Sequence, residues 1–86
     1  MTFATARASN DRTADRASVY NFASRFPMFC ECGDPVCSKT LLISLDGYRE
    51  ARQERGVVTA PEHRIPGADT VLRDGQYWVQ RLRTRL

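Results

Sequence analysis

Three cysteines and the only histidine of this 86-residue chain form the set of side chains that most clearly suggests a shared chemical role. Cys30, Cys32 and Cys37 lie within eight residues, in the run FPMFCECGDPVC, and His63 follows in APEHRIP. Thiolates and a neutral imidazole are typical ligands of tetrahedral zinc. The sequence therefore predicts a zinc site with three Cys ligands and one His ligand.

The spacing of the cysteines suits one metal ion if the chain turns sharply. Residues i and i+2 of an extended chain lie roughly 7 Å apart and point to the same side. Two sulfurs on one tetrahedral zinc lie only about 3.8 Å apart. Cys30 and Cys32 can therefore converge if the chain curls after Cys32, and the Gly-Asp-Pro run at 33–35 favours such a turn. The same turn would return Cys37 to the metal.

The fourth ligand must come from a distant loop, because 25 residues separate the last cysteine from His63. Pro61 and Pro66 restrict that loop, which suits a ligand. Water, Asp34 or Glu62 are alternatives to His63 as the fourth ligand. An iron–sulfur cluster is an alternative to zinc, although such clusters usually take four cysteines.

The N-terminal part of the chain must lead into the cysteines. We predict a frayed N-terminal segment over residues 1–12 and a single zinc-stabilised domain over residues 13–86. A helix is predicted from about Thr13 to just before Pro27, which ends it and starts an extended segment. The apolar residues at helical spacing on its predicted core face are Val19, Phe22, Ala23 and Phe26.

The middle of the chain has the pattern of a strand followed by a helix. In residues 40–45, TLLISL, apolar residues alternate as in a half-buried strand. Ser44 is a candidate N-cap for a helix in DGYREARQER, and Gly56 is the candidate stop.

Two further strands are predicted beyond that helix. GVVTA is the first candidate, and ADTVLRDGQYWVQRL is a candidate hairpin whose Asp74-Gly75 pair suits a tight turn. Trp78 and Leu82 are expected to face the core. The predicted class is α+β: an N-terminal helix and a small, largely antiparallel sheet with one further helix, stapled by zinc.

Composition narrows the class of protein. An odd cysteine count disfavours a secreted disulfide framework, and no apolar run reaches the length of a signal peptide or a membrane span. We therefore expect a cytoplasmic protein with no membrane association. An organellar transit peptide is an alternative for the Arg-, Ser- and Thr-rich start, but Asp11 and Asp15 weigh against it. The net charge of +3 indicates a nucleic-acid partner only weakly.

The run FPMFCECGDPVCSKTLLISLDGYREAR and the later APEHRIPGADTVLRDGQYWVQRL also resemble a group of small, largely uncharacterised actinobacterial proteins. The shared pattern is F-x-C-E-C-G-x3-C, an aliphatic strand, an L-x3-E-Y-x3-R helix, a P-x-H loop and a final Tyr-containing strand, over residues 22–82. The resemblance implies a zinc site at Cys30, Cys32, Cys37 and His63. This chain departs from the group at Gly47, where Glu is usual, and in its polar opening.

Enzymatic activity is not expected, since a zinc with four protein ligands has no open position for a substrate or water. The sequence also has no second histidine, no phosphate-binding glycine loop and no serine-nucleophile motif. We expect a structural zinc site in a protein-interaction or regulatory module, with a protein partner. One alternative is a zinc or redox sensor that uses the same thiolates. Another is nucleic-acid binding through a C-terminal arginine row, Arg81, Arg83 and Arg85, with Tyr77 available for stacking. That row could equally be a solvated edge that deters strand pairing.

Overall fold

Two helices and two small antiparallel sheets make up residues 2–20 and 24–83, the part of the chain that the computed structural model describes. In chain order the elements are α1 (Phe3–Tyr20), β1 (Phe26–Phe29), β2 (Thr40–Ile43), α2 (Leu45–Gln53), β3 (Gly56–Thr59), β4 (Ala68–Arg73) and β5 (Trp78–Leu82). β1 pairs with β2, and the other sheet has the strand order β3-β5-β4. The predicted α+β class with an N-terminal helix is confirmed.

The strands divide between two sheets, whereas we predicted one. The chain leaves the strand conformation after Phe29, so β1 does not extend into a ladder with β3. A backbone hydrogen bond, from Glu31 N–H to Val58 O at 2.8 Å, links the segment after β1 to β3. The segment that carries the cysteines therefore lies at the junction between the sheets.

The strand and helix predicted in the middle of the chain are present. Leu41 and Ile43 of β2 are buried, as their alternation predicted. The hydroxyl of Ser44 accepts a hydrogen bond from Gly47 N–H at 3.0 Å and so caps α2. Leu45 is the first residue of α2 and not the last of the strand. The core cluster contains Met28, Leu41, Ile43, Tyr48, Ala51, Val58, Tyr77 and Val79.

The prediction for the N-terminal segment is wrong. α1 begins at Phe3, so residues 3–12 are helical and not frayed, and it ends at Tyr20, well before Pro27. Pro27 lies inside β1, where its missing N–H costs nothing on a strand that has one partner.

The buried face of α1 also differs from the predicted apolar stripe. Val19 is 79% exposed and Phe26 belongs to β1, while Phe22 and Ala23 lie outside the described residues. The residues that α1 buries are instead small or polar: Ala6, Asn10 and Ala17. Neither helix of the described chain has the length and apolarity needed to cross a membrane.

The end of α2 depends on a residue that we did not predict. Arg55 adopts the left-handed conformation at the helix end, with φ of 59°, and Gly56 begins β3. Gly56 serves a different purpose, because a Cβ there would lie 2.6 Å from Val79 Cγ1 and 3.2 Å from Ala51 O. Glycine therefore allows α2, β3 and β5 to approach closely.

The predicted C-terminal hairpin is formed by β4 and β5, with Asp74 and Gly75 in the connection. Arg25 holds this connection from the side of β1, through two hydrogen bonds of 2.7 and 2.9 Å to the Asp74 carboxylate. Trp78 is buried, as predicted. Leu82 is 39% exposed and does not face the core, because it pairs with Ala68 at the far end of the sheet.

Candidate metal centre

The four predicted ligand residues meet at one point of the structure. The sulfurs of Cys30, Cys32 and Cys37 and a ring nitrogen of His63 all lie within 4.8 Å of one another. His63 Nδ1 is 3.5 Å from the sulfur of Cys30 and 3.6 Å from that of Cys37. Cys30 is buried and the other three residues are partly exposed. This cluster could hold a metal ion.

A compact turn brings the three cysteines together, as the sequence predicted. Gly33 has φ of 86°, which is the left-handed conformation that a residue with a side chain avoids. The Asp34 carboxylate accepts the Val36 N–H at 3.0 Å, and its backbone carbonyl accepts the Cys37 N–H at 3.0 Å. Upstream, Cys30 N–H donates to Lys39 O at 2.9 Å. The turn therefore closes on itself through its own backbone and one carboxylate.

A second tight turn presents His63 directly after β3. The His63 N–H donates to Ala60 O at 3.2 Å across Pro61 and Glu62, and Glu62 has φ of 70°. Proline in the second position and a positive φ in the third describe a type II turn. The proline that we noted in the sequence thus shapes the turn that directs His63 to the cysteines.

Gln80 of β5 holds the His63 turn in place, and no local sequence pattern indicates this role. Its side chain is 1% exposed and its amide nitrogen donates to His63 O at 2.7 Å and to Thr59 Oγ1 at 2.9 Å. Its amide oxygen accepts the Ile65 N–H at 2.9 Å. Two of these hydrogen bonds join β5 to the loop that carries the histidine and the third joins it to the end of β3, so Gln80 positions that loop.

Cys30 lies in the least solvated part of the cluster. It is 5% exposed, and its sulfur accepts the Ala60 N–H at 3.2 Å. Burial raises the pKa of the Cys30 thiol to about 12, although the Ala60 N–H opposes that rise. In the absence of a cation this thiol is therefore protonated at neutral pH. A metal ion would supply the positive charge that a thiolate needs at this depth.

Glu31 is a buried carboxylate between two of the cysteines, and we did not single it out from the sequence. It is fully buried, and its oxygens lie 2.6 and 3.1 Å from the two terminal nitrogens of Arg52. It also accepts the Val58 N–H at 3.0 Å. A buried carboxylate needs such partners, because an unpaired charge is costly away from water. The sequence feature that could have indicated this ion pair is the Tyr-x3-Arg spacing in α2, since it places Arg52 on the same helix face as the buried Tyr48.

Asn10 connects α1 to the same carboxylate. Its amide nitrogen donates to Glu31 Oε2 and to Phe29 O, each at 2.8 Å, and its amide oxygen accepts the Phe29 N–H at 2.8 Å. The side chain thus pairs with the free edge of β1 as a neighbouring strand would. Asp11 extends the contact, because its carboxylate accepts a hydrogen bond from the Tyr48 hydroxyl and lies 3.4 Å from Arg52 Nε.

The alternative fourth ligands do not join the cluster. Among the described residues the group of metal-ligating atoms contains Cys30, Cys32, Cys37 and His63, and neither Asp34 nor Glu62. Asp34 is engaged in its own turn, as described above. The side chain of Glu62 is 75% exposed and lies 4.0 Å from Arg64.

The C-terminal arginine row is largely neutralised. Arg81 pairs with Glu54, and Arg83 lies 3.3 Å from Asp69, while Arg85 lies outside the described residues. Tyr77 is 7% exposed and belongs to the core cluster, so the expectation that it is available for stacking is wrong. The alternation of β5 could not reveal these ion pairs, because one acidic partner is the C-cap residue of α2 and the other lies on β4.

The function proposed below rests on the residues and the geometry of the site. The chain matches no protein-family model, no curated protein and no solved structure.

Proposed function

We propose that Cys30, Cys32, Cys37 and His63 bind one zinc ion. Zinc–sulfur bonds of about 2.3 Å and a zinc–nitrogen bond of about 2.05 Å, at the tetrahedral angle, place sulfur and nitrogen about 3.6 Å apart. The two sulfur–nitrogen distances of 3.5 and 3.6 Å agree with this value. That agreement carries the proposal, and the donor set of three thiols and one imidazole favours zinc over hard cations that prefer oxygen.

The proposed role of the ion is structural. It would join the turn after β1 to the turn after β3, two segments that approach each other from different sheets. Zinc in small domains supplies on the order of 10 kcal/mol, which is comparable with the total stability of about 5–15 kcal/mol typical of a folded domain. An 86-residue chain with a small core would depend on such a contribution.

Elemental analysis of the purified protein tests the proposal. We expect one zinc per chain, and we expect Cys30→Ser, Cys32→Ser, Cys37→Ser and His63→Ala each to weaken zinc binding. Glu62→Gln is the matched control for the histidine, because this exposed neighbour lies in the same turn and outside the cluster. Removal of zinc by a chelator should also lower the midpoint of thermal unfolding. Unchanged thermal stability after removal would refute the structural role.

We propose that the zinc-held turn serves binding and not catalysis, in a protein-interaction or regulatory module. Four protein ligands fill a tetrahedral zinc and leave no position for a substrate or a reactive water. Val36, at the tip of the turn between Cys32 and Cys37, is 85% exposed, which suits a contact residue. A partner that the wild type captures, and that a fully zinc-loaded Val36→Asp variant does not, would support this role. A partner retained by that variant would exclude the turn as the contact.

A redox sensor is the second candidate, because two of the thiols are accessible. Cys32 and Cys37 are partly exposed, whereas Cys30 is buried. A peroxide would oxidise the two thiolates to a Cys32–Cys37 disulfide, the peroxide would be reduced to water with uptake of two protons, and Zn²⁺ would be released. Peptide mapping after mild peroxide treatment should find this disulfide together with free zinc. Retained zinc, or a disulfide that involves Cys30, would contradict the candidate.

A further inference from the structure

A groove of about 440 Å³ lies between α2 and the β4–β5 hairpin, and none of its lining residues is a candidate metal ligand. We call it the α2–hairpin groove; its walls include Glu50, Glu54, Val71, Leu72, Tyr77 and Val79. Ligand sites in proteins usually occupy about 300–1,000 Å³, so the groove is large enough to receive side chains of another molecule.

A β-bulge gives this groove an apolar wall. Consecutive residues of a regular strand point to opposite faces. In β4 the register shifts between Thr70 and Leu72, and Val71 and Leu72 both line the groove. Each of these two residues is 42% exposed, although burial would favour both. Bulges that redirect side chains are common beside functional sites, and they also discourage the addition of another strand at a sheet edge.

The opposite rim of the groove is acidic. Glu50 lies on α2 and Glu54 is the residue that caps the C-terminal end of α2, four positions later, a spacing at which two like charges repel each other slightly. Glu54 is paired with Arg81, but Glu50 has no ion-pair partner within residues 2–20 and 24–83. The chain as a whole carries a net charge of +3, so the rim stands out from the average charge of the molecule. An apolar wall and an acidic rim complement a ligand that is apolar and basic.

We propose that the α2–hairpin groove binds a basic amphipathic helix of a partner protein. An aliphatic side chain of that helix would lie against Val71 and Leu72, and a Lys or Arg about one turn away would face Glu50. This is the helix-in-groove mode of recognition, in which apolar anchors give affinity and flanking charges give specificity. This groove is separate from the zinc-held turn, so the proposal goes beyond the role proposed for that turn and adds a second binding surface.

The test is an amide-resolved NMR titration of the zinc-loaded protein with a synthetic amphipathic helical peptide of leucine and lysine. We expect saturable shifts centred on Glu50, Val71 and Leu72. The same peptide with glutamate in place of lysine should bind at least about fivefold more weakly, because the rim would repel it. Glu50→Lys and Leu72→Ser should each weaken binding of the lysine peptide by a similar factor.

Matched control variants separate the groove from general surface effects. Asp15→Lys makes the same kind of charge change at an exposed position on α1, and Leu42→Ser removes an equally exposed leucine from β2. Both controls should retain wild-type affinity. Equal binding of the two peptides, or unchanged affinity in Glu50→Lys and Leu72→Ser, would overturn the groove proposal. Zinc content, measured on every sample, reports separately on the metal centre, so that failure of the groove would leave the zinc proposal standing.

Discussion

Replacement of Asn10 by alanine tests whether α1 is an integral part of the fold. The Asn10 side chain is fully buried and makes three hydrogen bonds of 2.8 Å. Two involve the Phe29 backbone, at about 1 kcal/mol each, and the third involves the Glu31 carboxylate, at about 1.5–3 kcal/mol. Alanine is the better helix former by about 0.6 kcal/mol, which offsets part of the loss. We therefore expect a loss of about 3–4 kcal/mol in the free energy of unfolding.

Urea unfolding in saturating zinc, followed by far-UV circular dichroism, measures this loss. Ser18→Ala is the control, because Ser18 is an exposed polar residue on the same helix and its replacement should change stability by less than about 0.5 kcal/mol. A loss of less than about 1 kcal/mol for Asn10→Ala would refute the reasoning, since it would mean that the Phe29 edge and Glu31 do not depend on α1. A smaller slope of the unfolding free energy against urea concentration, with an unchanged midpoint, would instead indicate that α1 separates before the rest of the domain unfolds.

Three further predictions follow from single contacts. Gln80→Ala should weaken zinc binding at least about tenfold although it removes no ligand, since residues that orient metal ligands usually have effects of that size. Competition with a chelator of known affinity measures the zinc affinity. An unchanged affinity would show that the His63 turn does not need Gln80. Gly56→Ala should cost about 2 kcal/mol or more in thermal or urea unfolding, because the new Cβ would lie 2.6 Å from Val79 Cγ1, and a neutral result would contradict the close packing of β3 on β5. The hydrogen bonds from Arg25, and then from the Gln76 N–H, lower the pKa of Asp74 from 3.8 to about 2, so its stabilisation is present above pH 4 and is lost as the pH falls through 2. Because the pair is partly exposed, Asp74→Asn should lower the free energy of unfolding by less than about 1 kcal/mol at neutral pH, and this difference should shrink as the pH is lowered from 4 to 2. A difference that stays constant between pH 7 and pH 2 would contradict the assignment.

The local elements of the fold could be predicted because their signals lie within a few residues. Ser44 caps α2 through a residue three positions away, and the alternation of Leu41 and Ile43 depends on the strand alone. The extent of α1 could not be predicted in this way. Its buried face consists of alanines and Asn10, and such residues show no contrast in hydrophobicity with the exposed face.

Residue types and spacing were enough to predict the candidate ligands of the metal centre, because three cysteines and one histidine share a ligand chemistry and lie in two proline-containing segments. The Gly-Asp-Pro run at 33–35 likewise predicts the turn that returns Cys37, and Gly33 adopts the left-handed conformation there, with φ of 86°. The contacts that hold those segments in place, in contrast, depend on long-range packing. Glu31 is 21 positions along the chain from each of its partners Arg52 and Asn10. Gln80 is 17 positions from His63, whose carbonyl it binds. The partners of a buried polar side chain are set by which elements pack together, and neighbouring residues in the sequence do not indicate them.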